Sequence, residues 1–171
     1  ANEGILRGVR PQAIEEGMGG SYFVRDAKNN NIAVFKPVDE EPCAPNNPKG
    51  MQGKIGDTGI KHGVRAGEQA LRELAAFLID RQHSVRAGVP PTTLATINTD
   101  VYEHGNTIKT GSFQLFVPSC GTTGDMGTSL FDCKQVQAIA VLDMRLMNVD
   151  RHDGNILVRK SLPIPTRGKK H

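Results

Sequence analysis

Tryptophan is absent from this chain of 171 residues, and aromatics make up only 5% of it. No apolar run approaches the roughly 20 residues a membrane-spanning helix needs. Cysteine is scarce: Cys43, Cys120 and Cys133 are an odd number, no pair shows metal-ligand spacing, and no signal peptide is visible. A disulfide framework is thereby excluded, and a reducing, cytoplasmic setting is the simplest expectation. Acidic residues are missing from one region, since none follows Asp153. Five of the 21 basic residues (Arg159, Lys160, Arg167, Lys169 and Lys170) lie there; without them 16 basic residues face 18 acidic ones. The net charge of +3 therefore belongs to a C-terminal tail, read as a solvated loop or a cut end, and the body is slightly acidic. A nucleic-acid binder carries its basic patch on the folded body with aromatics nearby, so nucleic acid is not the expected partner.

What is present describes a globular chain. Hydrophobic residues at 37% and charged residues at 23% exclude a disordered or fibrous protein. Nineteen glycines and ten prolines assign much of the chain to loops. After a glycine turn at Gly17, Gly19 and Gly20, alternation predicts a hairpin: strands over 21–26 and 32–36 around an asparagine turn at 28–31, closed by Pro37. Residues 42–63 read as a long loop. The spacing of Leu71, Leu74, Ala75 and Leu78 predicts a helix over 66–81, apolar nearly all round and so buried on more than one face. Strands follow near 93–103 and 107–117, joined by His104-Gly105-Asn106, then a loop over 119–128. A helix over 132–147 has Val136, Ile139, Ala140 and Met144 in its apolar stripe; a polar loop over 148–155 and a short strand over 156–158 end the order. A β-rich first lobe and a helical second lobe fit this sequence of elements.

Three signals bear on chemistry. Glycines at 17, 19 and 20 let backbone N–H groups approach phosphate oxygens, although most such turns are plain hairpin entries. Lys36 closes a strand and shares a face with Val34. That pairing suits a lysine reaching phosphate and a valine touching adenine; taken alone, it equally suits an edge lysine with its head in water. Glu73, set among apolar neighbours in the first helix, needs a partner and is a candidate for Lys36. Glu68 is its rival, although its spacing from Arg72 also suits a surface i, i+4 pair. The third signal is Asp150-Arg151-His152-Asp153-Gly154-Asn155, where four residues separate Asp150 from Asn155. This is the spacing of a kinase catalytic loop, in which the aspartate orients the acceptor hydroxyl and the asparagine holds a metal ion. His152 adds a group suited to proton transfer. A polar turn with local capping is the plainer alternative, and it weakens when the three signals are taken together in kinase order.

The sequence resembles the phosphatidylinositol 3/4-kinase family, in particular type II phosphatidylinositol 4-kinases and the plant ubiquitin-like-domain kinases. The resemblance rests on residues 13–23, on Lys36-Pro37-Val38-Asp39-Glu40-Glu41-Pro42, on 44–50 and 72–77, and on 142–155 with its Asn148-Val149-Asp150-Arg151-His152 core. It implies an α+β, protein-kinase-like two-lobe fold over about residues 5–158. The N-lobe would span about 5–118 and the start of the C-lobe 119–158, with 159–171 as a basic tail. It implies ATP and Mg²⁺ as cofactors, with Gly19, Gly20 and Ser21 over the phosphates and Lys36 paired with Glu73. Gln114, Leu115, Phe116 and Val117 would form the hinge that meets adenine. Asp150 would be the catalytic aspartate, His152 a proton acceptor and Asn155 a Mg²⁺ ligand. The acceptor would be a phosphoinositide lipid or a protein Ser/Thr, and the basic tail would add peripheral membrane contact.

One departure stands out. The family places a second metal-binding aspartate soon after the strand at 156–158, and no Asp or Glu follows Asp153 here. A kinase-like fold also needs roughly 250 or more residues, the upper end of ordinary domain sizes. The expectation is a kinase fragment that alone binds nucleotide poorly and transfers phosphate slowly or not at all. A non-catalytic nucleotide-binding or scaffold module is the alternative.

Overall fold

The computed structural model describes residues 9–98 and 108–160. The chain divides into two compact units, the first ending at Val117 and the second beginning at Pro118.

In the first unit the hairpin forms where the asparagines allow it. Asn29 sits in the left-handed region at φ 67°, which asparagine tolerates. The Asp26 carboxylate accepts the backbone N–H groups of Lys28 and Asn30 at 2.8 and 2.9 Å, fixing the turn. The flanking strands are β2 (Tyr22–Arg25) and β3 (Asn31–Pro37), preceded by the short β1 (Gln12–Ala13). With β4 (Thr92–Asn98) and β5 (Ile108–Leu115) they form an antiparallel sheet in the order β1-β2-β3-β5-β4. The expected turn at 104–106, the strand ends beside it, residues 5–8 and most of the basic tail lie outside the described residues.

Alternation gives the sheet two different faces. Tyr22, Val24, Ala33, Phe35 and Ile97 form the apolar core on one of them. The other carries Phe23, Val34, Lys36, Ser112 and Gln114, brought together by the registers Phe23↔Val34, Val34↔Gln114 and Lys36↔Ser112.

The helix α1 (Gln69–Arg81) begins three residues later than the periodicity predicts. Two features set the start: Gly67 adopts φ +94°, which a helix does not allow, and the Glu41 carboxylate caps the helix from 26 to 29 residues away. At the other end Asp80, nearly fully buried, accepts the N–H groups of Ala87, Gly88 and Val89 and folds the chain back toward β4. The expectation that α1 is buried on more than one face does not hold among the described residues, since Leu71 is 57% and Leu78 45% exposed.

In the second unit α2 (Cys133–Leu146) starts at Asp132, whose side chain accepts the N–H of Gln135 at 3.0 Å. It ends where Met147 turns left-handed at φ 50°. Leu142 is buried, whereas Val136 and Met144 of the expected stripe are exposed. An apolar stripe shows that a helix face favours burial, not what covers it. The strand expected over 156–158 shrinks to one bridge, Leu157 to Thr122. The described residues thus form an α+β fold, with an antiparallel sheet and helix first and a helical segment after it. Among them no helix is long and apolar enough to cross a membrane.

Candidate phosphate-binding and catalytic-loop residues

Lys36 is the penultimate residue of β3 and lies on the face away from the core. Its Nζ donates to Glu73 Oε1 of α1 at 2.5 Å. Of the two candidate glutamates it is Glu73 that reaches the lysine; Glu68 pairs with Arg72 at 3.0 Å, the alternative surface role. The other oxygen of Glu73 accepts the hydroxyl of Ser112, directly across the ladder from Lys36, at 2.5 Å. The lysine side chain keeps 40% exposure while its ammonium is held by Glu73, so the pair is half-open to solvent.

Around this pair the stretch that follows Lys36 acts as a frame. Glu40 is buried beneath the sheet's core face, where its carboxylate accepts the Tyr22 hydroxyl at 2.7 Å and pairs with the buried Lys109. Lys109 also meets Asp39 at 3.1 Å. Glu41 accepts the N–H groups of Gly67, Gln69 and Ala70 at the N-terminus of α1. Burial pushes the Glu41 carboxyl above its ordinary value, against those three donors, and the nearby Glu73 charge adds to the upward push. Asn47, 1% exposed, donates to the carbonyls of Met18, Glu40 and Glu41 and accepts from the N–H groups of Lys49 and Met51. The glycine turn is thereby tied to the frame. Gly20 belongs to that tie: its N–H donates to the Glu40 carbonyl at 2.9 Å, and a Cβ there would lie 1.9 Å from Glu40 Oε2. Its lack of a side chain is thus explained by packing, and its N–H is already bonded within the protein. Gly19, partly exposed, and Ser21 sit beside it at the start of β2.

Toward the end of the first unit, Val34 faces the same side as Lys36 and pairs with Gln114, whose side chain donates to Thr92 Oγ1 at 2.9 Å. Phe116 donates its N–H to the Ile32 carbonyl at 2.9 Å and sets its ring edge-on to Phe23, centroids 5.7 Å apart. Leu115 closes β5 and is 49% exposed, and Val117 ends the unit. Phe23 was not singled out from sequence. The signal was available: it alternates with the buried Tyr22 and Val24 and stands opposite Val34. Together Phe23, Val34 and Phe116 give an apolar, aromatic surface on the Lys36 side of the strand ladder.

The second unit holds Asp150, His152 and Asn155, all exposed, in a loop shaped by its neighbours. Arg151 forks onto the Asp143 carboxylate at 2.7 and 2.8 Å and donates to the Asn155 carbonyl at 3.1 Å. Asn148 donates to Asp143 and accepts the Asp150 N–H. Arg151 holds the Asp143 carboxyl below its ordinary value near 3.8. Asn155 donates its amide nitrogen to the Asp150 carbonyl at 2.7 Å, which leaves the amide oxygen as its remaining ligand atom. A carboxylate and an amide oxygen are hard donors that fit Mg²⁺. Among the described residues no group of three or more His, Cys, Asp and Glu is placed to hold a metal ion. Sequence reasoning assigned no role to Asp143 or Arg151, which lie eight residues apart across a helix end and a polar loop.

A family model described as phosphatidylinositol 3- and 4-kinase matches residues 17–164. Phosphatidylinositol 4-kinase gamma 6 of Arabidopsis thaliana is 45% identical over 168 residues, which cover 90% of this chain and 27% of that protein. Phosphatidylinositol 4-kinase gamma 5 of Arabidopsis thaliana is 40% identical over 169 residues, 91% of this chain and 26% of that protein. Phosphatidylinositol 4-kinase gamma 4 of Oryza sativa subsp. japonica is 46% identical over 166 residues, 91% and 28%. The chain thus spans a little over a quarter of the length of these relatives. With a match over most of its residues, including the Lys36 strand, α1 and the Asp150 loop, this chain belongs to the phosphatidylinositol 3- and 4-kinase family.

Proposed function

We propose that the chain carries the nucleotide-binding and phosphoryl-transfer residues of an ATP-dependent kinase whose acceptor is a phosphatidylinositol hydroxyl. The observation that carries this reading is the half-open Lys36–Glu73 pair, held by Ser112 beside an apolar surface of Phe23, Val34 and Phe116. A lysine fixed in place but open on one side suits a phosphate oxygen. An aromatic and valine surface two strand positions away suits a purine. The relatives' names supply the acceptor class.

In the reaction the acceptor oxygen forms a bond to the γ-phosphorus, the bond from that phosphorus to the β–γ bridging oxygen breaks, and ADP leaves. Asp150 orients the acceptor hydroxyl, and its proton passes to the Asp150 carboxylate or to His152. Lys36 binds a phosphate oxygen, Gly19 and Ser21 border the phosphates, and Gln114, Leu115, Phe116 and Val117 border the base. Mg²⁺, when bound, supplies charge neutralisation at the phosphates, and the Asn155 amide oxygen would be the ligand to it from this loop. The Asp143–Arg151 fork keeps Asp150 and Asn155 at a fixed separation, because Arg151 bonds to the Asn155 carbonyl while Asn155 bonds to that of Asp150. The same reading carries a cytoplasmic enzyme that works at a membrane surface.

The test is phosphate transfer from labelled Mg·ATP to vesicles containing phosphatidylinositol and, in parallel, to a protein acceptor. Transfer to the lipid that falls at least about 100-fold in Asp150→Ala, the size of a lost acid–base group, supports the proposal. Transfer only to protein would move the acceptor to a Ser/Thr hydroxyl. Saturable nucleotide binding with no transfer to either would overturn phosphoryl transfer by this chain, the outcome expected where no acidic metal ligand follows Asp153, and would favour the non-catalytic module.

A further inference from the structure

Lys36 and Glu73 cannot hold each other in place by attraction alone. A half-open lysine–glutamate pair contributes modestly, because two long side chains lose rotamer freedom to form it and water partly screens it. The lysine side chain is 40% exposed and the glutamate 24%. A phosphate that draws on the Lys36 ammonium would weaken the lysine's grip on Glu73 further. Something else must keep the carboxylate where it is.

Ser112 is placed for that task. It is 1% exposed, sits on β5 between β3 and β4, and faces Lys36 on one side and Leu94 on the other. Its hydroxyl donates to Glu73 Oε2 at 2.5 Å while Lys36 takes Oε1. A buried hydroxyl needs a partner, and a bond to a carboxylate is stronger than one to a neutral acceptor. The serine belongs to a strand paired on both edges, so its position is set by the sheet rather than by the helix. We infer that Ser112 is a positioning residue of the phosphate-binding site, which pins Glu73 of α1 to the sheet so that Lys36 is presented to phosphate. The inference rests on the nucleotide reading above and goes beyond it, since neither the lysine nor the glutamate identifies the serine.

The test is a double-mutant cycle of the native protein, Ser112→Ala, Glu73→Ala and the pair, with Lys36→Ala as a control. Mg·ATP affinity is read by calorimetric titration. Ser112→Ala is expected to weaken binding about three- to tenfold in the native background, less than the full value of a charge-assisted hydrogen bond because the serine acts on nucleotide only through Glu73. In the Glu73→Ala background it is expected to change binding less than twofold, because the serine acts through the glutamate. Equal weakening in both backgrounds would overturn the inference and make Ser112 a general structural residue. Unchanged binding in Ser112→Ala, with binding lost in Lys36→Ala, would overturn the positioning role and leave the nucleotide reading intact. Absence of binding in the native protein would defeat the nucleotide reading and the inference with it. Urea unfolding of the same four cycle members reads the contact without nucleotide: non-additive losses support it, and additive losses overturn it.

Discussion

Two lysine–glutamate pairs lie on opposite faces of one sheet, and they are built for different ends. Lys109 and Glu40 sit on the core face with side chains 0% and 2% exposed, and Asp39 and the Tyr22 hydroxyl complete their surroundings. Lys36 and Glu73 sit on the other face at 40% and 24%. The residue types of the two pairs are the same; solvent access differs, and the buried lysine has a second carboxylate, Asp39. The sealed pair meets only protein partners, Asp39 and Tyr22, and is closed to solvent, so it holds structure. An open pair, held from behind by Ser112, can give its lysine partly to an incoming anion. In this protein access, rather than charge, separates a strut from the pair proposed to meet phosphate.

The comparison breaks most readily at the sealed pair. Lys109→Met would leave the Glu40 carboxylate buried without its cation, a loss of about 3–5 kcal/mol. Urea unfolding checks it, and a loss below about 1 kcal/mol, the range of an exposed pair, would place Lys109 in the same class as Lys36. Next in size is Asn47→Ala, which removes the ties from the glycine turn to the Glu40–Glu41 segment. About 2 kcal/mol is expected from the buried carbonyls and N–H groups left unpaired. A limited-proteolysis time course should show faster cleavage around residues 15–20.

The second unit sharpens the contrast from another direction, since its charged fork is neither sealed nor on a sheet. Asp143 is held below its ordinary value by Arg151, so its ionised form stabilises the folded loop. That contribution is present above the unfolded value near 3.8 and is lost as pH falls through the lower, folded value. Acid titration followed by amide NMR should therefore show the loop over 148–155 loosening at low pH. Asp143→Asn should loosen it already at neutral pH, with a small effect on global stability of about 1 kcal/mol or less.

The asparagine hairpin, Lys36 with its valine, Glu73 and the Asp150-to-Asn155 spacing were legible because each is encoded within a few residues or one helix period. What was not legible depends on partners far along the chain. Lys109 and Glu40 are 69 residues apart, Ser112 and Glu73 are 39 apart, and Ala70 and Glu41 are 29 apart. Local periodicity places α1 near its true start. It does not show that a carboxylate from the loop after β3 caps it, or that Gly67 delays it by three residues. The same limit explains why Gly20 reads as a phosphate-binding glycine, when Glu40 packs where its Cβ would be. It also explains why Leu71 and Leu78 read as buried: an apolar helix face is visible in sequence, and its covering is not.

The smallest expected effect on stability carries the most weight for function. Lys36→Met should cost about 1 kcal/mol in unfolding, as befits a half-open pair whose carboxylate keeps Ser112, and should leave the far-UV circular dichroism unchanged. Titrating Mg·ATP into the native protein and into Lys36→Met, at equal ionic strength, tests the central claim most directly. Saturable binding to the native protein that weakens at least about tenfold in the variant, equivalent to about 1.4 kcal/mol, is the predicted result. Equal affinity in the two proteins would contradict it, and so would the lack of saturable binding to the native protein.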